Sequence, residues 1–404
     1  MKILLFAASF PPPLAGGSVE YVYNIVSHLP PQSVVVHTAN VDPARAQAFD
    51  QAFPQRIMRH RFIRHVLGGP ASALVRLREW LWWPPIACWL IMRERPDVIH
   101  LGEYNLAGVA AWWAQRVLRI PYVFYTYAEE IPILSKRPWH NIIFLTLLRR
   151  AQAVVTVSEY TRSLLVARGV APDRIFKIVP AVGDEKRLGV TVEQLEAVRR
   201  KYDLNNHPVV LTVGTLSERK GHAMVIQALP QISRLYADVR YVIVGSGPQE
   251  ATLRQQVREA GLGEQVIFAG RVGDTELTCL YEICDVFVMP HRQVQTTLDT
   301  EGCPTVFLEA SAHGKPVVGG NAGGVADAIL NGRTGFIIDG TDPTVLAQTI
   351  CRLLGDPELA HRMGEAGREY TYSLTAERNA QEVWRISQEI LQRRRGKTRA
   401  QTCG

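Results

Sequence analysis

Two serial arrays of short β-branched runs, alternating with longer amphipathic stretches, restrict the chain to parallel sheets wrapped by helices. In the first half the runs fall at 2–7, 33–38, 97–101, 122–126, 153–157 and 176–179. In the second they fall at 209–213, 240–244, 266–269, 286–289, 316–318 and 335–338. Each is apolar throughout rather than alternating, as a strand covered on both faces requires. The arrays part near 180–188, where Pro-Ala-Val-Gly-Asp closes one and a charged helix over 192–202 opens the next. The expected architecture is α/β, with two Rossmann-like doubly wound parallel-sheet domains, 1–184 and 185–375, facing a central cleft. A last helix over 376–392 packs back across the junction, and a basic tail, 393–399, frays. Open parallel sheets bind ligands beyond the carboxyl ends of their strands, so the chemistry is expected in those loops.

At 404 residues the chain is long enough for two or three cores, and its 47% hydrophobic and 21% charged content suits a globular enzyme rather than a disordered or membrane-spanning one. The net charge of +7 favours anionic partners. Cys88, Cys279, Cys284, Cys303, Cys351 and Cys403 are scattered without a C-x-x-C pair, so they read as reduced thiols in a cytoplasmic protein, and no metal site is expected. The opening resembles a short signal peptide, with Lys2 before an apolar run, but Pro11, Pro12 and Pro13 lead into Gly16 and Gly17 without a clean cleavage site. A buried first strand is the better reading. The apolar stretch 81–92 is too short for a bilayer, and Pro84 and Pro85 interrupt it.

The segment Glu301-Gly-Cys-Pro-Thr-Val-Phe-Leu-Glu309 follows a strand and opens a helix whose first turn should hold Pro304 and Thr305. A helix N-terminus offers free N–H groups and the positive end of a dipole to a phosphate, and Gly302 allows close approach. Glu309, about one turn in, leans back toward Glu301. Two carboxylates beside a phosphate site can accept sugar hydroxyls, each bond to a charged acceptor contributing roughly 1.5–3 kcal/mol; alternatively Glu301 is a solvated loop residue and Glu309 only suits an early helix turn. Val213-Gly-Thr-Leu-Ser-Glu-Arg-Lys-Gly221 joins another strand end to another helix. Arg219 and Lys220 there can neutralise a departing diphosphate, or form an ordinary exposed basic turn. Phe10-Pro-Pro-Pro-Leu-Ala-Gly-Gly-Ser-Val-Glu20 is a loop in which Gly16 and Gly17 can turn backbone N–H groups toward a diphosphate, with Ser18 as N-cap.

Together with Gly-Lys-Pro-Val-Val after Glu309 and Ser158 in Thr-Val-Ser-Glu-Tyr-Thr, these segments resemble glycosyltransferase family four over nearly the whole chain. The resemblance implies a GT-B fold, transfer of a sugar from a nucleotide-diphosphate sugar with retention of configuration, and no required metal. It assigns the ribose hydroxyls to Glu309. It gives the donor sugar and phosphates to Glu301 and the backbone of Gly302, Cys303, Pro304 and Thr305, and the diphosphate to Arg219 and Lys220. Many members carry an arginine where this chain has Thr215, which leaves the cationic load on Arg219 and Lys220. Many carry a histidine where Tyr127 stands in Thr126-Tyr-Ala-Glu-Glu130, and Tyr127 can hydrogen-bond a sugar hydroxyl. A UDP-sugar donor and a glycan or lipid-linked acceptor are the expected substrates, with same-face substitution as the mechanism.

Between residues 56 and 95, Arg59, Arg61, Arg64, Arg76 and Arg78 mingle with Phe62, Ile63, Trp80, Trp82, Trp83 and Trp89. Such a mixture suits docking on an anionic membrane face, or else a core of tryptophans beneath a solvated arginine face. A sugar-nucleotide epimerase and a non-catalytic nucleotide-sugar-binding protein remain alternatives. A nucleic-acid role is disfavoured, because the basic residues form no recognisable motif.

Overall fold

The structure is a computed structural model and describes residues 1–12, 16–60, 73–187, 189–294 and 300–402. Two compact units emerge: residues 1–180 with 376–404, and residues 181–375.

The first unit holds β1 (Ile3–Phe6), β2 (Val34–Ala39), β3 (Arg56–His60), β4 (Val98–Leu101), β5 (Tyr122–Thr126), β6 (Ala153–Thr156) and β7 (Ile175–Lys177), in the order β3-β2-β1-β4-β5-β6-β7. All its pairings are parallel. The second holds β8 (Val209–Val213), β9 (Arg240–Val244), β10 (Val266–Gly270), β11 (Val286–Met289), β12 (Val317–Gly320) and β13 (Gly335–Ile338), in the order β10-β9-β8-β11-β12-β13, also parallel. Both are doubly wound, and the order reverses at β1/β4 in one and β8/β11 in the other. Crossover helices cover both faces, which is why β1, β4, β5, β6, β8, β11 and β12 are buried along their whole length.

Every strand expected from an apolar run is present, and β3 is added. Arg-Ile-Met-Arg-His is only partly buried, as befits an edge strand, so no continuous apolar run announces it. Four local expectations are corrected. The helix Ala73–Glu94 runs through Pro84 and Pro85 without a break. The helix after β1 starts at Gly17 with Gly16 as its N-cap at φ 92; Ser18 lies inside it and does not cap it. Pro304 is likewise the N-cap residue, and the helix begins at Thr305. The last helix continues from Ala376 to Thr402, so the segment 393–399 is helical rather than frayed.

That last helix is tied into the first unit by polar contacts. His100 on β4 reaches Tyr125 Oη through Nδ1 and Ser387 Oγ through Nε2, each at 3.1 Å, and Asn379 donates to the Val179 carbonyl at 3.0 Å. Burial holds His100 neutral, with its pKa lowered to about 3.

Candidate functional site

In the second unit the sheet order explains the site. β8 and β11 are neighbours, so the loop 214–221 leaving one carboxyl end and the described residues 290–294 and 300–304 leaving the other are neighbours too. Gly221, at φ 78, seats the first loop against the second: a Cβ there would lie 2.2 Å from the Pro290 carbonyl oxygen. Arg292 N–H donates to the Arg219 carbonyl at 2.9 Å.

The consequence is a tight cluster of charge. Lys220 Nζ lies 2.7 Å from Glu301 Oε2, and the Arg219 guanidinium contacts the same oxygen. The three side chains are only 11–12% exposed. Two cations so placed would repel one another and lose hydration without an anion between them. Glu301 supplies that anion from a residue over eighty positions away in the chain. The Glu301 loop is itself pinned, because Gly324 N–H donates to the Glu301 carbonyl at 3.0 Å.

Beyond Glu301 comes the helix Thr305–Ala312, whose N-terminus no side chain caps. Gly302 is buried, and Cys303 and Thr305 are half-buried. Glu309 sits in the second turn with its side chain 6% exposed. Its Oε1 accepts from Lys186 Nζ at 2.8 Å and its Oε2 from Tyr281 Oη at 2.9 Å. A carboxylate has about four lone-pair positions, so each oxygen retains capacity for a further donor such as a sugar hydroxyl. His313, one turn further along, stacks on Tyr281 at 5.4 Å, reaches Glu282 at 2.7 Å and the Lys186 carbonyl at 2.9 Å. It fixes both partners of Glu309 at once. Thr215 is exposed, and its carbonyl accepts from Ser217 N–H at 2.8 Å; the cationic cluster forms without it.

Sequence reasoning did not single out Lys186, Tyr281 or His313. None belongs to a motif, and only the spacing Glu309 to His313, one helical turn, could have suggested a shared face. His291, at the end of β11, was also missed. Its Nδ1 lies 3.2 Å from the Met289 carbonyl and its Nε2 2.8 Å from the Ala322 carbonyl; burial lowers its pKa to about 4, so the ring is neutral and its single N–H donates to one of the two.

Tyr127, Gly16 and Gly17 belong to the first unit, where they follow the carboxyl ends of β5 and β1. The Tyr127 hydroxyl donates to the Gly102 carbonyl at 2.7 Å, and its backbone N–H donates to Glu130 Oε1 at 3.0 Å. Burial, then the acidic neighbours Glu103 and Glu130 among others, raise its pKa well above the usual tyrosine value. The phenol is therefore a fixed neutral group whose one proton is committed to Gly102 and whose oxygen can accept, but not donate, a further hydrogen bond. Gly16 and Gly17 are exposed, and the Gly16 carbonyl accepts from Glu20 N–H at 3.1 Å. Ser158 is a buried helix cap that accepts from Thr161 N–H at 3.2 Å.

The basic and aromatic stretch resolves into different roles. Trp83 is core. Arg59 is buried against Asp50 at 2.8 Å and also bonds the Pro11 carbonyl, so it anchors the loop after β1 and is not a surface cation. Leu81, Trp82, Trp89 and Met92 are exposed on one helix. Arg61, Phe62, Ile63 and Arg64 lie outside the described residues, and the side chains of Arg76, Arg78 and Trp80 are likewise not described. Among the described residues no helix is long and apolar enough to cross a membrane.

Comparison with known proteins meets this geometry along both units. Residues 15–186 match Glycosyltransferase Family 4, and residues 195–370 match Glycosyl transferases group 1. A GDP-mannose-dependent alpha-(1-6)-phosphatidylinositol monomannoside mannosyltransferase of Mycobacterium tuberculosis is 32% identical over 374 residues, covering 91% of this chain and 93% of that protein. The Mycolicibacterium smegmatis protein of the same description is 38% identical over 229 residues, which span 56% of this chain and 60% of that protein. Among solved structures, Anabaena HepE in complex with UDP superposes with a TM-score of 0.78 at 19% identity, over 96% of this chain and all of that one. That likeness establishes the GT-B type of fold. With two Rossmann-like sheets, matches along both and a full-length relative at this identity, the chain belongs to glycosyltransferase family four.

Proposed function

We propose that this glycosyltransferase moves mannose from GDP-mannose to a lipid-linked acceptor of the phosphatidylinositol mannoside kind, with retention and without a required metal. The observation that carries the reading is the 32% identity, over nine-tenths of the chain, to a mannosyltransferase of that description. It replaces the expectation of a UDP-sugar, which rested on no residue that reads a nucleobase. Exposed Leu81, Trp82, Trp89 and Met92 on the first unit offer an apolar strip that suits approach to a lipid-borne acceptor.

In this reading the ribose hydroxyls donate to Glu309, held by Lys186 and Tyr281. The diphosphate replaces part of Glu301's contact with Arg219 and Lys220 and takes the free amides at the start of the helix Thr305–Ala312. The acceptor hydroxyl oxygen bonds to the anomeric carbon on the face from which the diphosphate departs. The bond from that carbon to the phosphate oxygen breaks, and the acceptor proton passes to the departing phosphate oxygen. Tyr127 does not take that proton, because its phenol is already protonated and donated to Gly102. It positions a sugar hydroxyl by accepting from it.

The test is a thermal-shift series with GDP, UDP and ADP, followed by a mannosyl-transfer assay on phosphatidylinositol monomannoside. GDP at a hundred times its dissociation constant should stabilise the protein by about 2.7 kcal/mol, and radiolabelled mannose should enter the lipid fraction. Stabilisation by UDP or ADP but not GDP, or an unlabelled lipid fraction, contradicts the proposal.

A further inference from the structure

The first unit carries a second basic feature at the end of its sheet away from Tyr127. A groove of about 720 Å³ crosses the amino ends of β5, β6 and β7. Its charged lining is five arginines, Arg119, Arg150, Arg174, Arg393 and Arg394, facing one carboxylate, Asp173. They come from four separate elements: Arg119 after the helix Ala107–Val117, Arg150 at the end of the helix Pro138–Arg150, Arg174 just before β7, and two from the last helix. The rigid sheet thus gathers cations that no local sequence pattern unites.

Exposed arginines elsewhere in this chain are commonly paired. Arg254 meets Glu250 at 2.9 Å, Arg362 meets Glu358 at 2.7 Å, and Arg385 lies between Glu382 and Glu389. In the groove, by contrast, Arg119, Arg150, Arg174 and Arg393 form no ion pair among the described residues. Two glutamines shape its floor instead. Gln115 donates to the Arg150 carbonyl at 2.9 Å, and Gln152 donates to the same carbonyl at 3.2 Å while accepting from Tyr122 N–H at 2.8 Å. Among the described residues Arg174 reaches the Arg149 carbonyl, at 3.4 Å. Like charges gathered in a concave site repel unless an anion answers them, and concavity concentrates their field. Guanidinium forks match phosphate oxygens two at a time.

We propose that this groove is a second anion site, separate from the donor site of the other unit, and that it takes phosphoryl groups carried either by a small soluble phosphate compound or by an anionic lipid headgroup. Its volume lies in the range of ordinary small-ligand pockets. Val117 and Leu118 stand exposed beside Arg119, an arrangement that suits a headgroup continuous with an acyl region.

The experiment compares the wild type with an Arg119→Gln/Arg150→Gln/Arg174→Gln variant in two arms. Pyrophosphate titrations are made in a Lys220→Ala background, so that binding at the proposed donor site does not contribute. Flotation is made with phosphatidylcholine vesicles with or without phosphatidylglycerol. At least a tenfold loss in the variant is expected in one arm or both: in the pyrophosphate arm for a soluble compound, in the phosphatidylglycerol arm for a headgroup, with a salt-sensitive wild type in each. GDP binding should be the same in both proteins. Equal binding by wild type and variant in both arms overturns the site. If the triple variant fails to fold, Arg150→Gln alone carries the comparison, with at least a threefold loss expected and no loss overturning it.

Discussion

Arg219, Lys220 and Glu301 illustrate how a site can be assembled from residues that have little meaning singly. An Arg-Lys turn and a loop glutamate are each ordinary surface features. In contact, at 11–12% exposure, they form a charged unit that makes sense if a diphosphate shares the cations. Glu309 shows the same logic with Tyr281 and Lys186. Replacing Lys220 or Glu309 by alanine should weaken donor binding or transfer at least tenfold, about 1.4 kcal/mol, measured as kcat/KM and as GDP affinity. Wild-type values for both variants mean the site lies elsewhere. The identities of Arg219, Lys220, Glu301 and Glu309 were legible in the sequence because each lies in a motif at a strand end. Lys186 was not, because a lone lysine in a linker carries no spacing signal. Arg59 was misread because its charge is visible in the sequence and its buried partner Asp50 is not.

At the scale of elements, what the sequence disclosed follows from burial. Strands covered on both faces are continuous apolar runs and were all found, whereas β3 lies at an edge and reads as polar. Helix ends were less legible: Gly16 and Pro304 act as cap residues where Ser18 and an earlier helix start were expected. The last helix depends on contacts no pattern reveals, such as His100 to Ser387. His100 is buried and its folded pKa, about 3, lies below the unfolded value near 6.5. Its neutral form therefore contributes stability fully above pH 6.5, and that contribution is lost as pH falls toward 3. Between pH 6.5 and 5 the loss from this one residue is about 2 kcal/mol. A His100→Gln variant should show a shallower fall in denaturation midpoint over that range, and an unchanged pH slope would contradict the assignment.

For the whole molecule, both sheets reverse their strand order beside the first strand of the unit, and in the second unit that reversal brings the loop 214–221 together with residues 290–294 and 300–304. The family resemblance was visible in the sequence for the same reason, since its motifs are these loops. The nucleobase was not, because the quoted motifs are read as holding the diphosphate, the ribose and the sugar. Leaving-group charge falls, in this account, on Arg219, Lys220 and the Thr305–Ala312 helix terminus, so chelation with EDTA should leave the transfer rate within about twofold of untreated enzyme, well under 1.4 kcal/mol. A tenfold loss restored by a divalent cation would refute metal independence.

The most direct measurement is a crystal structure with GDP bound. The diphosphate is expected against Arg219, Lys220 and the backbone N–H groups of Gly302, Cys303 and Thr305, and the ribose hydroxyls on Glu309. Nucleotide bound elsewhere, with Glu301 still holding both cations and Glu309 meeting only Lys186 and Tyr281, would contradict it.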